Sequence, residues 1–180
     1  MPLTIVIPAS DELWDTVNER FISIKEQTLV LEHSLISVSK WESKWKKSFL
    51  ETTEKTMEEV LSYVKCMTIN HVEDRIYELL SFDHYKQIEE YIADTMTATT
   101  FSNLKPSGKK EIITAELIYY SMIEYGIPLE CEKWHFNRLM TLIQVCAVKG
   151  GGGGKMSRSE AAAYQMALNE RRLAGKGRRR

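Results

Sequence analysis

Five consecutive glycines followed by a lysine, at residues 150–155, are the first candidate for chemistry in this chain. The phosphate-binding loop of nucleotide enzymes needs a glycine, any four residues, Gly-Lys and then Ser or Thr, whose hydroxyl binds Mg²⁺. Here Met156 follows Lys155, and Lys149 stands where the first glycine is required. The spacing therefore predicts a hinge instead of a nucleotide site. The hinge residues are Gly150, Gly151, Gly152, Gly153 and Gly154.

Cys131 and His135 are the best-placed metal ligands, because they lie four residues apart on a predicted helix. Glu132 and His135 also have the Glu-x-x-His spacing of di-iron bundles, but such a site needs a second copy of the motif, and the sequence has none. Zinc would need two further ligands. Cys66 and His71 are available, but their spacing does not favour them. We expect no metal and no other cofactor.

Nucleophilic and acid–base catalysis lack a sequence signature. The three cysteines and four histidines are isolated, and no Gly-x-Ser-x-Gly motif occurs. The carboxylate pairs Glu58-Glu59 and Glu89-Glu90 lie on predicted amphipathic helices, where they are expected to be solvated. These patterns support no active-site hypothesis, and a metal enzyme remains an alternative only through Cys131 and His135. An odd and small number of cysteines favours a reducing compartment.

Charge divides the chain into two parts. Of its 24 Lys/Arg and 25 Asp/Glu, nine and two lie in residues 149–180, which carry +7 and leave −8 for residues 1–148. The cationic candidates for partner binding are Arg171, Arg172, Lys176, Arg178, Arg179 and Arg180. They could neutralise phosphates, but Tyr164 is the one aromatic residue near them that could stack on a base. A protein partner, including the acidic body of a second copy, is favoured over nucleic acid, and a role in solubility alone is the third alternative.

The N-terminal residues predict a small β-sheet. "LTIVIP" (3–8), "FISIK" (21–25) and "TLVLE" (28–32) have β-rich or alternating patterns, and the residues between the first two predict a helical turn or loop. The short apolar stretch has no basic region before it, so it is not a secretory signal. No apolar run reaches the length of a membrane span.

Helical periodicity dominates the rest of the body. A first helix is predicted over 34–49, with Trp41 and Trp45 on one face. A second is predicted to start after the capping pattern of Thr56 and Glu59, and a third over 84–97. A loop is predicted over 95–108. A helix capped by Ser107 should be largely buried and end at Gly126, and the next should begin near Glu130, so the two form a hairpin.

These observations predict a mainly α fold of the α+β type. The expected order is a globular body over 1–148 with short N-terminal strands, a Gly-rich linker over 149–156 and a basic tail over 157–180, partly helical or disordered. Ser157 and Glu160 form a capping pattern at the start of that tail.

Residues 30–69, "VLEHSLISVSKWESKWKKSFLETTEKTMEEVLSYVKCMTI", resemble the N-terminal part of tail assembly chaperones of long-tailed, siphovirus-type bacteriophages. Residues 112–144, with their Tyr-Gly turn and Trp-His-Phe-Asn sequence, are similar to helical phage tail proteins. The resemblance implies a non-enzymatic adaptor that binds the tape-measure protein and helps recruit tail-tube subunits. It also implies a location in the host cytoplasm, no place in the finished virion, and a longer form made by ribosomal frameshifting.

Under this resemblance Trp41 and Trp45 are either a partner-binding surface or part of the core. Self-association is a further expectation, and the alternative function is a small virion or nucleic-acid-associated protein that binds through its basic tail. No membrane partner is expected.

Overall fold

A computed structural model of the chain describes residues 1–15, 19–100 and 112–150. It confirms the predicted fold class, because a small N-terminal β region is followed by a mainly helical body. The strands are β1 (Leu3–Ile7), β2 (Ser10–Asp15), β3 (Arg20–Ile24) and β4 (Gln27–Leu31). The α-helices are α1 (Leu35–Trp45), α2 (Met57–Met67), α3 (Phe82–Ala93), α4 (Ala115–Glu124) and α5 (Phe136–Gly150), with 3₁₀ segments at Asp74–Leu79 and Leu129–Lys133.

The four strands form two two-stranded antiparallel sheets, which follow one another as a ribbon interrupted in the middle. β1 pairs with β4 and β2 pairs with β3, and the register from Leu3↔Leu31 continues to Ser10↔Ile24 before shifting near Leu13. The strand β2 corrects the predicted turn or loop between the first two predicted strands. Apolar and polar residues do not clearly alternate in β2, so the strand is recognised only from its pairing with β3.

The outer edge of β4 is covered by the chain that follows α2. The N–H of Ile69 donates to the carbonyl of Val30 (2.9 Å), and the side chain of Asn70 brackets β4. Its Oδ1 accepts from the N–H of Val30 (2.8 Å) and its Nδ2 donates to the carbonyl of Thr28 (2.7 Å). These contacts satisfy backbone groups that an edge strand would otherwise expose.

One hydrophobic core joins the ribbon to the helices. Alternate residues of β1 and β4 point into it, and α1 packs against α2, α4 and the second 3₁₀ segment. Its largest fully buried side chain is Trp41, and Phe136 and Leu139 bring α5 into it. The core thus extends well beyond the predicted α4–α5 pair.

Local capping residues determine where the early helices begin. Thr56 and Glu59 form the predicted reciprocal capping box of α2, and Ser34 with Ser37 does the same for α1. The helix α1 ends at Trp45 instead of residue 49, because Lys46 adopts a left-handed conformation with φ of 56°.

The last two helices begin later than the sequence predicts. Residues 112–114 are not helical and α4 starts at Ala115; the predicted cap, Ser107, lies outside the described residues. Gly126, with φ of 66°, ends α4 as predicted. Glu130 lies in the 3₁₀ segment Leu129–Lys133, so α5 begins only at Phe136, whose N–H donates to the carbonyl of His33 (2.8 Å).

No helix in the three described ranges combines the length and apolar character needed to cross a membrane. The helix α5 includes Lys149 and Gly150, which the sequence assigned to the linker. The rest of the predicted linker and the whole predicted tail lie outside the described residues.

Candidate partner-binding surface

The two predicted partner-binding tryptophans lie between α1 and α2. Trp41 is fully buried, and its Nε1 donates to the backbone carbonyl of Glu59 (2.9 Å). Trp45 is half-buried, and its Nε1 donates to Ser62 Oγ (3.1 Å). Trp41 is therefore a core residue and presents no surface to a partner in this conformation.

The other predicted site residues lie mostly outside the described residues. Gly150 is the last residue of α5. The remaining hinge glycines, Gly151–Gly154, and the cationic residues Arg171, Arg172, Lys176, Arg178, Arg179 and Arg180 are not described.

The structure does not arrange the candidate metal ligands Cys131 and His135 as a metal site would require. Cys131 lies in the second 3₁₀ segment and His135 lies just before α5, so they do not share a helix face. His135 Nε2 donates to the carbonyl of Tyr91 (2.9 Å). Across residues 1–15, 19–100 and 112–150, no group of three or more His, Cys, Asp or Glu side chains could hold a metal ion.

A buried cluster of histidines and tyrosines is the strongest candidate for acid–base chemistry. His33 Nδ1 lies 2.5 Å from Tyr63 Oη, and the His33 and His135 rings meet edge to face with their centroids 5.0 Å apart. Burial, with a smaller effect from His135, lowers the pKa of His33 to about 3, and burial raises the pKa of Tyr63. Both groups are therefore neutral near pH 7 and enclosed by core residues. The cluster links the residues after β4, α2 and the residues before α5 within the core.

Helix α4 carries the surface that best fits binding to a partner. Leu117, Tyr120 and Ile123 recur at helical spacing on α4, and Ile113 lies just before the helix; all four are exposed, with Tyr120 at 61% and Ile123 at 63%. We call these four residues the α4 face. Contiguous exposed apolar side chains with polar neighbours are typical of an interaction site.

Buried contacts on the opposite side hold the α4 face in position. Ala115, Ile118 and Met122 lie in the core, where α4 packs on α1. The buried Glu42 of α1 accepts the N–H of Ala115 on Oε2 (2.7 Å) and that of Phe49 on Oε1 (2.8 Å). Because four backbone N–H groups at a helix start lack helical partners, this carboxylate determines where α4 begins.

The C-terminal end of α4 is equally defined. Gly126 adopts the left-handed conformation, and the N–H of Ile127 donates back to the carbonyl of Met122 (2.8 Å). This is a Schellman closure, and Ile127 is buried beneath it. The α4 face is thus fixed at both ends.

Acidic side chains lie on and beside the α4 face. Glu116 and Glu124 are exposed on α4, and residues 112–132 contain four glutamates and no Lys or Arg. Beside them Tyr119 Oη donates to Glu132 Oε2 (2.9 Å). Burial, followed by this carboxylate, raises the pKa of Tyr119 to about 12, so the phenol keeps its proton. The surface therefore favours an apolar ligand with positive charge nearby.

Sequence reasoning missed this surface because α4 is apolar around most of its circumference and was expected to be buried. A usable signal was present: Glu116, Tyr120 and Glu124 share one face, and charged residues are rarely buried unpaired. Comparisons with protein-family models, curated proteins and solved structures return no match for the chain.

Proposed function

We propose that this protein is a tail assembly chaperone of a siphovirus-type bacteriophage. In this role it acts in the host cytoplasm as a non-enzymatic adaptor that binds the tape-measure protein and helps recruit tail-tube subunits. The resemblance of residues 30–69 suggests the family. The observation that carries a binding role is the α4 face, an exposed apolar stripe on a helix anchored in the core.

The proposed client-binding mode is helix against helix. Leu117, Tyr120 and Ile123 recur every three residues along α4. They can therefore pack against the apolar side chains at positions i, i+3 and i+4 of an amphipathic client helix. A tape-measure protein is a long helical chain whose apolar faces need cover before the tube assembles around it. Glu116 and Glu124 favour client segments with Lys or Arg beside the apolar residues.

The test is co-purification with the tape-measure protein from the same genome. Tyr120→Ser combined with Ile123→Ser should reduce the affinity at least about tenfold, since two large apolar side chains leave the interface at about 1.5–3 kcal/mol each when fully buried. Phe82→Ser is the matched control, because Phe82 is 82% exposed but lies on α3. Equal retention by all three proteins would contradict the proposed role of the α4 face.

The neighbouring DNA provides a test that needs no protein. The proposal expects an overlapping downstream reading frame, joined by a frameshift, followed by a very long helical reading frame. The glycine codons of residues 150–154, or those near Gly175, are candidate slippage sites. If neither reading frame is present, the chaperone assignment loses its support.

The alternative function, nucleic-acid binding by the basic tail, rests on the charge of +7 in residues 149–180. Replacing Arg178, Arg179 and Arg180 with glutamine should then abolish salt-sensitive DNA retention and leave client binding intact. DNA retention with no tape-measure binding would favour this alternative.

A further inference from the structure

We infer that the basic C-terminal segment, residues 157–180, of one copy of this protein occupies the α4 face of a second copy when no client is bound. The inference rests on the proposed function for the role of the α4 face. It names the ligand that covers this apolar surface before a client arrives. Because it requires no tape-measure protein, it can fail or succeed separately from the chaperone assignment.

Charge complementarity selects this occupant. The stretch from Ile112 to Glu132 has four glutamates and no cation, and Glu116 and Glu124 are exposed beside the α4 face. Residues 157–180 contain seven Lys/Arg and two glutamates. Opposite net charges on two parts of the same chain attract across copies, and this attraction weakens with salt.

The apolar pattern of the segment also matches. The capping pattern of Ser157 and Glu160 predicts a helix, in which Ala161, Tyr164 and Leu168 would share one line. Arg171 and Arg172 follow that line within one turn. An apolar line that ends in cations is the complement of an apolar stripe flanked by glutamates.

The C-terminal end of the body is open to a second copy. Ala147, Val148 and Lys149 are all exposed at the end of α5. The glycines that follow give a random-coil reach of only about 10–12 Å. Residues 157–180 therefore follow an exposed end of the body, which a neighbouring molecule can approach.

A charge-swap experiment on the full chain tests the inference. Sedimentation of the purified protein is measured at about 50 mM salt, where the charges attract one another, and at about 500 mM salt, where the salt screens this attraction. The unmodified chain should self-associate at low salt and dissociate at high salt. Glu116→Lys with Glu124→Lys should weaken self-association about tenfold, and so should Arg171→Glu with Arg172→Glu. Combining all four substitutions should restore it.

The control is Glu89→Lys with Glu90→Lys, which makes the same change in net charge on the exposed surface of α3 and should leave self-association unchanged. The arginine variant alters no residue of the described body, so it remains informative if the α4 variant unfolds. A chain that stays monomeric at low salt would overturn the inference. So would a four-fold variant that associates no better than its parents, or association that nuclease treatment abolishes.

Discussion

His33 is a buried residue whose protonation is linked to folding at acidic pH. It is buried beside Tyr63 and His135, and its pKa falls to about 3 in the folded chain, against an ordinary value of about 6.5. The folded protein therefore keeps the ring neutral while the unfolded chain takes up a proton below about pH 6.5. This contribution to stability is complete above that pH and is lost as pH falls towards 3.

Lowering the pH from 7.5 to 5 should reduce the free energy of unfolding by about 2 kcal/mol through His33 alone. In His33→Asn, whose amide can still contact Tyr63, this part of the loss should disappear. Urea denaturation at both pH values measures it, with the exposed His71→Asn as the matched control. Equal pH dependence in His33→Asn and the unmodified chain would show that His33 does not carry the linkage.

Helix α4 depends on one carboxylate from another element. Glu42 of α1 accepts N–H groups from Phe49 and from Ala115, so Glu42→Gln places an amide donor against one of them. We expect a loss of about 2 kcal/mol in unfolding free energy, the range for a buried donor left unsatisfied. The exposed Glu89→Gln should change stability by less than about 0.5 kcal/mol. If chemical denaturation gives both variants the same stability, Glu42 does not hold α4.

This contact also explains which element boundaries were predictable. The start of α2 followed from Thr56 and Glu59, three residues apart, because a capping box is a local interaction. The start of α4 did not, because its partner, Glu42, lies 73 residues earlier in the chain. Strand β2 was missed for the same reason: its ladder partner, β3, is needed to recognise it.

At the scale of the whole molecule, the sequence predicted the mainly α fold with its small N-terminal β region, but it did not decide which apolar residues the fold buries. Trp41, a candidate for partner binding, fills the core, whereas α4, expected to be buried, exposes Tyr120 and Ile123. Periodicity reports which residues share a face. Which of several apolar faces the body covers depends on how α1 and α4 pack, and that is a tertiary property.

Hydrogen exchange on the client complex tests the central claim, that α4 is the client-binding helix. The protein carrying Arg171→Glu and Arg172→Glu, in which self-association should be weakened, is compared free and bound to its tape-measure protein. Amides of Ala115–Glu124 should exchange more slowly in the complex, while those of Phe82–Ala93 should exchange at the same rate. Unchanged exchange in α4, with protection appearing on another element of the bound protein, would contradict the account.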